Sequence, residues 1–392
     1  MGVKKVWNRY KEHGLVIFLL LYLIYYTTDA ASGYFMIFLK SIGLNTLQMG
    51  FLTAGAALTA LVFQPYVGRM ADRAKTKNTV LIVTLLCAAF LALLLRLSSG
   101  FIYIMLVYTG YLILRNTLHP LIDSITLEHT SAKGVEFGPI RTMGCLGYAI
   151  MAAVAGRIAQ RNPADPFVVY AFAALATVIV ALFLPRSYGR QRGKKRIHPM
   201  AILSDRRLAI YILFAVALSC TKSFYSTYFS VYYTSELGGS TDQYGILLSI
   251  AAFMEIPVIF VIDRLNRKFG TRNLILIAGM IETIRWLATA IVANPPAQVV
   301  IQAILGSNNM TLALSMTIFV DRAMPPETRT TGQATYTMCT SVGSLVVGNL
   351  IGGALSNALG IRPVFFLCVT VNVVALSLFA LIGYMEKVKT HL

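Results

Sequence analysis

Eight ionisable side chains fall inside stretches otherwise apolar enough to cross a bilayer: the acids Asp29, Asp123, Glu255 and Glu282, and the bases Arg115, Arg141, Lys222 and Arg285. Each half of the chain holds two of each sign, so the set is internally neutral. A charge at mid-membrane costs about 2.5–3.5 kcal/mol on insertion scales, so each needs a partner or a task. Two tasks suit these types. An acid and a base at similar depth can hydrogen-bond several hydroxyls of a polar solute, which fits Asp123 and Arg141 if their segments form a hairpin. An acid whose surroundings alternate between wet and dry can load and release a proton. Glu282 and Arg285, three residues apart and hence on one helical face, fit that second task together with Glu255 and Lys222. Asp29, beside Thr27, Thr28 and Ser32 and among Tyr22, Tyr25, Tyr26 and Tyr34, fits either a solute or proton site or the partner of a buried cation. Asn308 and Asn309 read as solute ligands or as interhelical amides. Tyr148 joins this set below, on other grounds.

The elements that must hold these groups are membrane helices. The chain has 392 residues, 57% of them hydrophobic and 13% charged, with a mean hydropathy of +0.68, too apolar for a soluble globule. A bilayer core needs about 20 apolar residues per helix. Twelve such stretches run approximately over 15–39, 46–68, 78–96, 101–125, 138–157, 166–185, 207–235, 243–262, 273–293, 297–320, 330–357 and 362–385. A basic polar run divides them, giving an N-terminal six-helix bundle over 1–185, a linker over 186–206 and a C-terminal six-helix bundle over 207–392. The expected fold is an all-α membrane protein of two pseudo-symmetric bundles. No cleavable signal peptide is expected, because the first apolar run is long and lacks a small-residue cleavage site.

The net charge of +18 is a matter of distribution. Of 34 Lys and Arg, 25 fall on the side holding both termini and the linker, and five (Lys40, Arg96, Arg157, Arg161, Arg362) on the other. That is the positive-inside pattern, which predicts an integral, multi-pass protein of the inner or plasma membrane with both termini cytoplasmic. It implies contact with anionic membrane lipid and no nucleic-acid partner. The basic, amphipathic segment VKKVWNRYKEHG should lie at the inner surface. All five cysteines sit in apolar stretches without metal-ligand spacing and read as buried small hydrophobes. No phosphate-cradling loop, H-E-x-x-H or nucleophile elbow is present, so neither an enzyme, a metal nor an organic cofactor is expected.

Gly68, Asp72, Arg73 and Lys77 stand in a G-x-x-x-D-R-x-x-x-K pattern between the second and third stretches. A weaker echo with Asp263, Arg264 and Arg267 follows the eighth. A glycine for close helix approach, an acid and a basic turn suit a short inter-helix gate. The pattern resembles the signature of the major facilitator superfamily, and its repetition implies an internal duplication and alternating access. The block EFGPIRTMGCLGYA, from Glu136 to Ala149, narrows the resemblance to the oligosaccharide:proton symporter family.

That resemblance implies that Asp123 and Arg141 are a sugar-binding acid and its partnering base, and that Tyr148 stands where the family stacks a Trp on the sugar ring. RNLILIAGMIETIR resembles the family's ninth helix and places Arg285 on its coupling arginine. Other positions depart. Lys222 replaces a Tyr, Ser223 and Ser226 replace acids, Ala303 and Ser344 replace lysines, and Gly306 and Asn309 replace the coupling His and Glu. Ala252 takes the place of the eighth helix's Glu, with Glu255 about one turn later. Lys222 must therefore pair elsewhere, with Glu255 or Glu282. Arg115 and His119 have no counterpart. Gly348, Gly352 and Gly353 read as close-packing or hinge positions.

The expectation is a monomeric secondary transporter of a small polar solute, most naturally a sugar, coupled to H+, working by rocking of the two bundles. An efflux antiporter of drugs or metabolites, and a carrier of nucleosides or aromatic acids, are the alternatives.

Overall fold

The computed structural model describes residues 14–187, 206–306, 308–324 and 329–391, and among these every regular element is a helix. In chain order they are α1 (Val16–Ser32), α2 (Phe35–Ser41), α3 (Thr46–Arg73), α4 (Lys77–Leu94), α5 (Phe101–Ala132), α6 (Gly138–Arg161) and α7 (Pro166–Leu182). The second half holds α8 (Arg206–Val231), α9 (Thr241–Phe269), α10 (Thr271–Ile291), α11 (Pro295–Gly306), α12 (Asn308–Ala323), α13 (Arg329–Met338), α14 (Ser344–Leu359) and α15 (Ile361–His391). Ten spans are long and apolar enough to cross a membrane, and the 28-residue α3 and the shorter α7 complete the twelve expected segments. The amphipathic start of the chain and most of the basic linker lie outside the described residues.

Hydropathy places these helices but not their interruptions. α8 ends in a π-helical turn, Tyr232–Glu236, and a second such turn, Cys339–Gly343, joins α13 to α14. Pro120 interrupts the hydrogen-bond ladder of α5 beside His119 and Asp123.

The chain divides into two compact units. The first comprises 1–44, 55–193 and 240–256; the second comprises 45–54, 194–239 and 257–392. Within the first, α1 packs on α6 so closely that a Cβ at Gly147 would overlap the carbonyl of Leu23. Within the second, α8 packs on α14 and a Cβ at Gly348 would overlap the carbonyl of Cys220. Small residues at such crossings let helix backbones touch, which supplies van der Waals attraction that apolar side chains cannot gain over lipid.

Each unit also holds a crossing of two glycines capped by a tyrosine. In the first unit Gly156 of α6 meets Gly245 of α9, with the Tyr34 hydroxyl beside both and donating to Ala152 O at 2.5 Å. In the second unit Gly353 of α14 meets Gly50 of α3, with the Tyr228 hydroxyl beside both and donating to Asn349 O at 2.9 Å. The two units thus share one packing arrangement.

Candidate functional site

In the first unit the ionisable groups of α1, α5 and α6 form one cluster. Asp29 of α1 has both carboxylate oxygens engaged: Oδ1 accepts from Arg115 Nη2, and Oδ2 lies 3.4 Å from His119 Nε2. Arg115 and His119, whose roles the sequence left open, are therefore the partners of Asp29, four residues apart on α5 and so on one face. His119 also meets the rings of Tyr25 and Tyr26 edge-on, at 5.0 and 5.3 Å.

Asp123 and Arg141 do not form an ion pair with each other. Two tyrosines of α1 stand in the way. The buried Tyr22 donates its hydroxyl to Asp123 Oδ1, and Arg141 lies over the ring of Tyr26, 5.0 Å from its centroid. Tyr22 and Tyr26, one turn apart, stack at 5.9 Å. The ring of Tyr26 lies against Gly144, where a Cβ would come within 2.8 Å, so α6 offers Arg141 and a bare glycine to the same ring. Acid and base are each oriented by an aromatic neighbour, and both remain half-buried. Tyr148, further along α6, is also half-buried.

A hydrogen bond to a charged group contributes about 1.5–3 kcal/mol. On the reading of Asp123 as a solute-binding acid, Tyr22→Phe is expected to weaken solute binding about tenfold by freeing its carboxylate. Equilibrium binding to detergent-solubilised protein measures it.

In the second unit a cavity of about 460 Å³ opens among α8, α10, α12, α13, the second π-helical turn and α14. Nine of its sixteen lining residues carry hydroxyls, and Lys222, Glu282 and Asn309 are the others able to form strong polar contacts. Several of these hydroxyls donate to their own helix, as Thr340 does to Tyr336 O and Ser226 to Ser223 O. Their lone pairs are left for a ligand rich in donors.

Glu282 is 3% exposed. Its Oε1 has no hydrogen-bond partner and lies 3.6 Å from Arg285 Nη1, while Oε2 is 3.5 Å from the amide of Asn308. Arg285, equally buried, is far better served. Its Nε donates to Gln302 Oε1 at 2.7 Å, Nη1 reaches Asn309 Oδ1 at 3.4 Å, and its guanidinium lies over Tyr225 and Trp286. Asn309 thus joins the cavity, whereas Asn308 is buried and donates to Ala278 O at 2.7 Å, an interhelical role.

Of the other predicted residues, Lys222 lines the cavity with Glu282, and Glu255 belongs to the portion of α9 in the first unit. The side chains of Gly68, Asp72, Arg73 and Asp263 lie outside the described residues, and Arg264 is exposed near the end of α9. Lys77, last of the same motif, binds Glu128 at 3.3 Å and Ser124 at 3.1 Å on α5. Sequence reasoning passed over Gln302 and named Tyr22 and Tyr26 only as neighbours of Asp29. Two glutamines four apart in an apolar run, Gln298 and Gln302, were the available signal.

Comparison with known proteins agrees with this architecture. The chain is 27% identical over 345 residues to the maltose permease of Geobacillus stearothermophilus, covering 86% of each chain. It is 22% identical over 324 residues to the raffinose permease of Escherichia coli, covering 76% of this chain and 75% of the relative. The probable 3-phenylpropionic acid transporter of Escherichia coli (strain K12) is 22% identical over 369 residues, covering 90% of this chain and 95% of the relative. Among solved structures, a mutant of the nucleoside transporter NupG superposes with a TM-score of 0.83 at 16% identity, over 93% of this chain and 99% of that one. The model of the MFS_1 like family matches residues 15–367. The chain belongs to that family and is an integral, multi-pass membrane transporter of the major facilitator fold.

Proposed function

We propose that this transporter is a proton-coupled symporter of a sugar, monomeric, with both termini in the cytoplasm. The observation that carries the coupling is Glu282: a carboxylate almost fully buried, one oxygen without a hydrogen bond, beside a hydroxyl-lined cavity and one turn from a fixed arginine. A buried carboxylate oxygen held by a long ion pair and no hydrogen bond is costly to keep. Asp29, another candidate beside Glu255, has both oxygens occupied and holds Arg115 and His119 in place instead.

Solute recognition falls to Asp123 and Arg141, oriented by Tyr22 and Tyr26, with Tyr148 as the stacking face. The hydroxyl-rich wall bearing Asn309 and Lys222 supports a polyhydroxylated ligand. The permeases for maltose and raffinose among the similar proteins favour the same class. Alternating access would expose Glu282 to water in one state and dry it in the other.

The test is the pH of a lightly buffered suspension of de-energised cells as maltose, raffinose, sucrose and other sugars are added in turn. Alkalinisation with one sugar, lost in Arg141→Ala, is the expected result; no pH change with any sugar overturns proton symport of sugars. An aromatic acid is the second reading, favoured by the tyrosines around Asp123 and by the 3-phenylpropionic acid transporter. Adding 3-phenylpropionate to the same suspension separates the two.

A further inference from the structure

Gln302 of α11 is completely buried and bonded at both ends of its amide. Its Nε2 donates to Thr289 Oγ1 at 3.0 Å and to Gln298 Oε1 at 3.3 Å. Gln298, also completely buried, donates in turn to the carbonyls of Thr289 at 3.1 Å and Val292 at 2.6 Å. The direction of this ladder is fixed by chemistry. Backbone carbonyls only accept, so Gln298 must turn its NH2 to them and its Oε1 toward Gln302. The Thr289 hydroxyl donates to Arg285 O at 2.8 Å and so must accept from Gln302. Gln302 is left with one possible face for Arg285, its oxygen.

We infer that Gln302 is a positioning residue for the coupling arginine: anchored through Gln298 to the end of α10, it holds Arg285 Nε so that Nη1 faces Glu282 and Asn309. Because the amide is neutral, it fixes the guanidinium without cancelling its charge. A carboxylate at the same place would keep an acceptor for Arg285 but lose the two donors that anchor it to Thr289 and Gln298, and would take that charge away from Glu282. An apolar residue would leave the charge intact and unheld. The inference rests on the reading of Glu282 and Arg285 as the coupling pair for its functional half, but its geometric half does not.

Trp286 supplies an independent reporter, since the Arg285 guanidinium lies 4.8 Å from its ring and the chain has one other tryptophan, Trp7. In a Trp7→Phe background, purified Gln302→Leu is expected to change the emission of Trp286 in intensity or maximum, and Gln302→Glu, which keeps the acceptor for Arg285 but loses the anchoring donors, to change it less. Both should lose most of the accumulation driven by a pH gradient, about tenfold, for whichever solute alkalinises the cell suspension. Unchanged Trp286 emission in Gln302→Leu, with the protein eluting as a folded monomer, overturns the positioning role whatever the solute. If the emission shifts as expected but Glu282→Gln still accumulates solute, the coupling reading has failed and the geometry stands.

Discussion

Glu282→Gln is expected to abolish accumulation of solute against its gradient while exchange of labelled for unlabelled solute continues at close to the parental rate. The amide has the size of the protonated acid and cannot lose its proton, so the carrier would be held in the form that binds and shuttles solute without releasing the driving ion. One unit of pH gradient is worth about 1.4 kcal/mol, enough to sustain about a tenfold solute gradient at one proton per solute. Proteoliposomes carrying the variant should show no such gradient. Collapse of the protein is not expected, because Arg285 keeps Gln302, Asn309 and the rings of Tyr225 and Trp286 when the charge of Glu282 is removed. Accumulation equal to the parent would assign the proton elsewhere.

Asp29→Ala should have the largest effect on stability. It leaves Arg115 without its carboxylate inside the first unit, with His119 next to the same gap. Breaking a fully buried pair from one side costs about 3–5 kcal/mol, and a half-buried pair such as this about 2 kcal/mol, whereas removing both charges is much less harmful. Thermal unfolding in detergent, followed with a thiol-reactive dye, is expected to fall by roughly 5 °C or more at the 2–4 °C per kcal/mol typical of domains of 150–250 residues. The double variant Asp29→Asn, Arg115→Gln should recover most of that loss, as a coupled pair does in a double-mutant cycle. Equal losses in the single and double variants would mean that Asp29 acts other than through Arg115.

The sequence was legible where membrane physics is one-dimensional. Hydropathy located the helices of the twelve expected segments, ten of them long and apolar enough to cross a membrane among the described residues, because lipid demands an apolar helix wherever the chain crosses. The eight charges within these segments were visible for the same reason. What could not be read was which helix faces which. Asp29 and Arg115 are 86 residues apart, and nothing in their spacing announces a pair. Asp123 and Arg141 were matched through family resemblance, yet α1 inserts Tyr22 and Tyr26 as their neighbours. Gln302 was invisible for a different reason: an uncharged amide barely disturbs hydropathy, although once buried it must satisfy both ends and so becomes directional. The π-helical turn at Cys339–Gly343, which brings Thr340 and Ser341 to the cavity, has no periodic signature in so short a segment.

The paired glycine crossings set where the chain can tolerate change. Gly156 with Gly245 under Tyr34, and Gly353 with Gly50 under Tyr228, are one arrangement present twice, each joining a helix from the first half of the chain to one from the second. Side chains facing lipid can exchange among apolar types at little cost, but two backbones in contact admit no added carbon: a Cβ at Gly245 would come within 2.7 Å of Ala152 O, and one at Gly353 would overlap the Tyr228 hydroxyl. At these four positions alanine, the mildest of substitutions elsewhere in a membrane helix, is a large residue.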